Sequence, residues 1–131
     1  LRPDQFVVEV RVPAPKPGSA GAYVKMERKV GDFATAAVAV QISLGAGSVC
    51  ERAGIGLTNV GSVPIKATKA EAALVGKRPD EAAIKQAAQL AAEAAQPQED
   101  LRGSGAYKKD LVRVLTARAL RKAIERAQKG G

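Results

Sequence analysis

The sequence of 131 residues contains no histidine, no tryptophan and only one cysteine, and these absences limit its chemistry. Without histidine, the chain lacks the side chain whose ordinary pKa suits it to shuttle protons near neutral pH. One cysteine cannot form a disulfide within the chain or a thiolate cage around a metal ion. We therefore expect neither a catalytic residue nor a metal site in this chain.

Aromatic residues are also scarce, at 3% of the chain, although 46% of its residues are hydrophobic. The core should therefore consist of Ala, Val, Leu and Ile. Cys50 lies in an apolar run, which predicts a buried, inert thiol and is consistent with a reducing, intracellular setting.

No apolar stretch approaches the roughly 20 residues that a membrane span requires. Residues 1–12 lack the charged-then-apolar order of a signal peptide. We expect a soluble, cytoplasmic protein. The chain opens with Leu1 rather than Met, which is compatible with a piece of a longer protein.

The net charge of +8 is concentrated near one end, because nine basic and only two acidic residues follow position 100. A basic helix of this kind is typical of a solvated face or a docking surface. No tryptophan and a single tyrosine lie in this segment, and stacking aromatics are what single-stranded nucleic-acid binders use. We therefore expect no nucleic-acid partner.

Alternating apolar residues, typical of strands with one buried face, recur in the first half of the chain. The predicted strands are residues 5–12, 35–44, about 49–57 and 63–65. The glycines at 45 and 47 predict a hairpin between the second and third strands. Pro64 should confine the fourth strand to a sheet edge.

The second half predicts three helices. Thr68 and Glu71 have the spacing of a capping box, and Gly76 is a plausible stop for that helix. The second helix should begin around residues 79–81, with an apolar stripe that ends before Pro97. The third should cover about 104–128, and its predicted stripe consists of Tyr107, Leu111, Val112, Leu115, Ala119 and Ala123. Together these elements predict one α+β domain over residues 1–131, with a three- to four-stranded antiparallel sheet covered by a three-helix layer.

Glycine-rich phosphate cradles are not expected. The glycines at 45 and 47 lie in a hairpin loop without a following helix or a third glycine. The carboxylates of Glu99 and Asp100 are predicted to serve the turn before the third helix.

Residues 23–34 (YVKMERKVGDFA) lead into the best predicted strand. They resemble a signature in the C-terminal domain of flavoprotein subunits of molybdenum hydroxylases. The likeness continues through GIGLTNV at 54–60, Pro64, AEAALVG at 70–76, residues 97–103 and Tyr107. The combination looks most like the medium subunit of aerobic, molybdenum–copper carbon monoxide dehydrogenase. Lys108 departs from the pattern, because the family more often has Arg there, and this puts a bidentate contact at that position in doubt.

The resemblance implies a subunit of a three-part oxidoreductase. A large subunit would hold the molybdenum–copper cofactor and a small subunit two iron–sulfur clusters. The medium subunit would hold FAD, which passes electrons to a quinone-type acceptor. In the family, Gly-rich motifs of an N-terminal domain grip the FAD, and this chain has none of them, so by itself it should bind FAD weakly or not at all. The chain alone should not be catalytic. Membrane association through the complex stays an open alternative.

The resemblance also gives candidate cofactor-binding residues. Lys25 would approach the flavin ring, Tyr23 would lie beside it, and Asp32 is the third candidate. Each has a structural alternative: a surface lysine for Lys25, a core side chain for Tyr23, and turn and ion-pair structure for Asp32 together with Arg28. Two other functions stay open, namely a related hydroxylase that acts on an aldehyde or purine and a stand-alone basic binding module.

Overall fold

The computed structural model describes residues 1–129, and the fold is built from one sheet and three helices. The strands are β1 (Ser19–Met26), β2 (Ala36–Leu44), β3 (Cys50–Thr58) and β4 (Ile65–Lys66). The helices are α1 (Thr68–Leu74), α2 (Glu81–Ala94) and α3 (Gly105–Lys129). The sheet is an antiparallel meander in the order β1-β2-β3-β4. The predicted α+β class and the three-helix layer are confirmed.

The helices cover one face of the sheet, because one side of each long strand is apolar. In β2 the alternate residues Val38, Val40 and Ile42 are buried, and α3 packs across β1 and β2. Helix α2 lies against α3, and α1 lies against α2 and β3. Alanines fill the helix seams, where small side chains allow close packing; the fully buried ones include Ala87, Ala91, Ala119 and Ala123.

The core contains no aromatic side chain. Phe6, Tyr23, Phe33 and Tyr107, the four aromatic residues of the chain, are all substantially exposed. The prediction of an aliphatic core is therefore confirmed. The placement of Tyr107 on the apolar stripe of α3 is wrong, since its side chain lies half-exposed in the first turn of the helix.

The predicted strand over residues 5–12 is wrong. This segment has no strand partner, and residues 1–17 are exposed throughout. Alternating apolar and polar residues indicate a segment that could bury one face as a strand, but a strand also requires a neighbouring strand to pair with. The first strand is instead Ser19–Met26, which the sequence hid because Ala20, Gly21 and Ala22 give only a weak alternating pattern.

The remaining strand predictions hold with small shifts. β2 and β3 form the predicted hairpin, joined by a short 3-10 turn (Ala46–Ser48). Cys50 begins β3 and is buried, as expected, and burial raises the pKa of its thiol. The edge strand is β4, which begins directly after Pro64 rather than before it.

The predicted capping box at the start of α1 is wrong. The residue that caps this helix is Ala67, and no side chain caps it. Glu71 instead turns toward β3, where its carboxylate accepts the Ile55 backbone N–H. Helix α2 begins as predicted: the Asp80 carboxylate accepts the Ala83 backbone N–H at 2.8 Å, and the helix ends before Pro97. None of the described helices is long and apolar enough to cross a bilayer.

Candidate functional site

The sheet face opposite the helices has no helix or strand over it among the described residues, and we call it the open face. Residues 12–16 line a cavity on this face together with Gln41 and Gly54. Across the middle of the open face, small residues of β1, β2 and β3 lie beside Tyr23 and Gln41. Tyr23, Ala39 and Gly56 form one cross-strand row, and Gly21, Gln41 and Gly54 form the next. A Cβ added to Gly56 would meet nothing within 4 Å. The surface there is flat and accessible.

Tyr23 lies on the open face with 58% of its surface exposed. It is therefore no core side chain, and that alternative is wrong. Lys25 follows two residues later on the same strand, so both side chains point to the same side of the sheet. The structure thus brings two of the three candidate residues together at one end of the open face.

The Lys25 ammonium group has two close partners. Its Nζ lies 2.6 Å from Oε2 of Glu27 and donates a longer hydrogen bond, 3.5 Å, to the backbone carbonyl of Asp32. The Glu27 carboxylate raises the pKa of Lys25 above its ordinary value, so the group stays charged. An ammonium has three donors, and these contacts occupy two of them.

Asp32 lies on the connection between β1 and β2, residues 27–35, which we call the Asp32 loop. Its Oδ1 accepts the Phe33 backbone N–H at 2.7 Å and lies 3.6 Å from a guanidinium nitrogen of Arg102. These are the turn and ion-pair contacts that the sequence allowed as an alternative. Arg28 is exposed and forms no ion pair within residues 1–129, so its predicted ion pair is wrong.

A cavity of about 380 Å³ separates the Asp32 loop from the connection between α2 and α3. Its polar lining contains Thr35, Asn59, Ser62, Gln98, Asp100, Arg102 and Lys108. Asn59, at a left-handed φ of 63°, donates from Nδ2 to the Ala34 carbonyl at 2.6 Å. This bond attaches the end of β3 to the Asp32 loop.

Lys108 is the residue that sequence reasoning missed most clearly. A lysine early in a basic helix is expected at the surface, yet its side chain is only 3% exposed. Its Nζ donates to the Gln98 carbonyl and pairs with Oδ2 of Asp100, both at 2.8 Å. The family likeness marks this position as one where Arg is more usual, but composition and periodicity do not separate Lys108 from the neighbouring Lys109, which is exposed.

Asp100 organises the turn before α3, as predicted. Its Oδ1 accepts the Arg102 backbone N–H at 2.8 Å, and its backbone forms a bridge with Gly103. The hydrogen bond from Lys108, followed by the one from the Arg102 amide, lowers the pKa of Asp100 below its ordinary value. The turn thus keeps a charged carboxylate at the edge of the cavity.

The chain has clear relatives. Residues 21–123 match the family described as the CO dehydrogenase flavoprotein C-terminal domain. The chain is 38% identical over 128 residues to the carbon monoxide dehydrogenase medium chain of Afipia carboxidovorans, which covers 98% of this chain and 44% of that one. The corresponding medium chain of Hydrogenophaga pseudoflava is 36% identical over 126 residues, covering 96% of this chain and 44% of that one. The chain therefore spans less than half the length of these relatives.

Solved structures agree with this likeness. A carbon monoxide dehydrogenase structure from Hydrogenophaga pseudoflava, described as lacking the Mo-pyranopterin moiety, superposes with a TM-score of 0.84 at 41% identity. The match covers 88% of this chain and 40% of that chain.

Proposed function

Because this chain belongs to the CO dehydrogenase flavoprotein C-terminal domain family, we propose that it is the C-terminal part of an FAD-binding medium subunit of aerobic carbon monoxide dehydrogenase. Its work there is to enclose one side of the flavin, while a preceding domain grips the cofactor. The chain is not catalytic alone. The family match favours this function over a stand-alone basic module.

The observation that carries the proposal is the placement of Lys25 and Tyr23 on the open face, with the Asp32 loop beside them. A lysine anchored by Glu27 and a backbone carbonyl keeps its ammonium group in one position while leaving one donor available. Tyr23 offers an exposed ring next to it. This end of the sheet is suited to an electron-rich planar group.

The open face also fits such a group sterically. Ala39 and Gly56 carry little or no side chain beside Tyr23, so a flat ring system could approach the strands closely. FAD, when bound, would accept electrons from iron–sulfur clusters and pass them to a quinone-type acceptor. The positive charge of Lys25 would stabilise the negative charge that a reduced flavin carries and so raise its potential.

The partners in this proposal are the N-terminal FAD domain of the same subunit, a small iron–sulfur subunit and a large molybdenum–copper subunit. The exposed basic side chains of α3 offer a docking surface for acidic partner segments; they include Lys109, Arg113, Arg118, Arg121 and Lys122. A cytoplasmic enzyme is proposed, with any membrane attachment made through the complex.

The test is to purify the complete complex and measure its flavin, molybdenum, copper and iron content, then to repeat the measurement with Lys25→Met. We expect full flavin occupancy and a lower flavin midpoint potential in the variant, with recovery in Lys25→Arg. Lys69→Met removes an exposed lysine on α1 and is the matched control. An unchanged potential in Lys25→Met would reject the role of this residue, and a chain that copurifies with neither partner subunit would reject the proposed complex.

A further inference from the structure

The Asp32 loop is poorly fixed by packing. Residues 28–31 and Phe33 are exposed, so burial contributes little to the conformation of this segment. Polar contacts hold it instead: the Thr35 amide donates to the Met26 carbonyl at 2.7 Å, and Asn59 donates to the Ala34 carbonyl. The Asp32 amide also donates to the Lys29 carbonyl at 3.0 Å, and its Oδ1 accepts the Phe33 amide at 2.7 Å. These local bonds hold the loop, but the Asp32 carboxylate has its ion-pair partner outside the loop.

Arg102 is that partner, and it reaches Asp32 from the connection between α2 and α3 across the rim of the 380 Å³ cavity. Both side chains of this pair are partly buried, with 34% of Arg102 and 24% of Asp32 exposed. Solvent screens such a pair less than a pair on the open surface. The position of Arg102 therefore influences the position and charge balance of Asp32.

Lys108 in turn fixes Arg102. The buried ammonium group holds Asp100 through one carboxylate oxygen, and the other oxygen of Asp100 accepts the Arg102 amide. A buried lysine needs such a partner, since an uncompensated charge in this position is strongly destabilising. The contacts thus lead from Lys108 through Asp100 to Arg102, and from Arg102 to the Asp32 carboxylate. The backbone carbonyl of Asp32 in turn accepts a hydrogen bond from the Lys25 ammonium group.

We propose that Arg102 and Lys108 are positioning residues that set the charge balance around Lys25 by fixing Asp32. The inference rests on the proposed function, because its consequence is a flavin potential that depends on residues of the α2–α3 connection. When Arg102 is lost, the carboxylate of Asp32 is no longer neutralised from that side, and the Lys25 end of the open face becomes more negative. Reduced flavin is then bound less favourably relative to oxidised flavin.

The experiment measures the flavin midpoint potential of the complete complex carrying Arg102→Met. We expect about a tenfold loss in the preference for reduced over oxidised flavin, which for a two-electron couple is a potential lower by about 30 mV. Arg102→Lys should recover most of this loss, because it restores the charge. Lys108→Met should act in the same direction, and Lys69→Met, which removes an exposed lysine of α1, should have no effect.

A double-mutant cycle separates positioning from general damage. If Arg102 acts through Asp32, then Arg102→Met should change the potential far less in an Asp32→Asn background. Equal effects in both backgrounds would overturn the inference. So would an unchanged potential in Arg102→Met when Lys25→Met lowers it, whereas no response to Lys25→Met would reject the proposed role of Lys25, on which this inference rests.

Discussion

The Glu71 carboxylate lies 2.8 Å from the backbone nitrogen of Ile55 and accepts its hydrogen bond. Ala67 lies between the end of β4 and the start of α1. Its amide still donates to the Ile55 carbonyl of β3, as a strand residue would, while its carbonyl already accepts the Glu71 amide of the helix. The Glu71 carboxylate thus accepts the hydrogen bond from β3 that a further residue of β4 would otherwise accept. It also holds Lys66, whose Nζ is 2.6 Å away.

Replacing Glu71 with Ala should destabilise the domain by about 1–3 kcal/mol, because the buried Ile55 N–H loses the carboxylate that accepts its hydrogen bond. Glu71→Gln keeps an acceptor oxygen and should lose less. Urea unfolding of the two variants measures the difference. Equal losses would show that the ion pair with Lys66, rather than the backbone contact, carries the effect.

Asp100 should make stability depend on pH in the acid range. Folding lowers the pKa of the Asp100 carboxyl below its ordinary value, which is near 4. The charged carboxylate therefore contributes its full stability above that ordinary pKa, and this stability is lost as the pH falls through the lower pKa of the folded state. The free energy of unfolding of the unmodified chain should therefore fall more steeply below about pH 4 than that of Asp100→Asn. Asp4→Asn, in the exposed N-terminal segment, controls for the loss of a carboxylate. Parallel pH profiles for the unmodified chain and Asp100→Asn would contradict this prediction.

Gly103 should tolerate no side chain. Its φ of 142° is a conformation that other residues rarely adopt, and an added Cβ would lie 2.6 Å from Cδ1 of Tyr107. We expect Gly103→Ala to lower the free energy of unfolding by about 1–3 kcal/mol, even if the tyrosine ring moves aside. Gly56→Ala is the control, because its Cβ would meet open space and the change should be close to neutral. Thermal or urea unfolding compares the two variants, and a Gly103→Ala chain as stable as the control would refute the argument.

Residues 1–11 should contribute almost nothing to the stability of this chain by itself. They are exposed and form no strand, so deleting them should change the free energy of unfolding by less than about 0.5 kcal/mol. Chemical unfolding of the shortened chain is the direct measurement. A large loss would mean that this segment packs on the sheet in solution.

Elements with strong local patterns were predictable. The alternation in β2, the turn that follows it and the start of α2 are decided by residues close together in the chain, and all three are as predicted. The family resemblance likewise came from ordered motifs along the chain and is confirmed. The prediction of a strand over residues 5–12 was wrong because a strand needs a partner strand, which a local alternation of apolar residues does not supply.

The candidate site divides in the same way. Lys25, Tyr23 and Asp32 could be nominated from one motif, and the structure places Tyr23 on the open face and Lys25 against the Asp32 backbone. Arg102 and Lys108 could not be nominated as members of this site. They lie about 70 or more residues further along the chain, and only folding brings Arg102 to within 3.6 Å of the Asp32 carboxylate.

The sequence by itself determined the α+β class and the aliphatic core, because composition and local periodicity act along the chain, and its ordered motifs determined the family. Only the tertiary structure decided that Glu71 completes the edge of β3 rather than capping α1, and that Lys108 is buried. The reason is that polar side chains satisfy their hydrogen bonds with whichever groups the fold brings near, and those groups are distant in sequence.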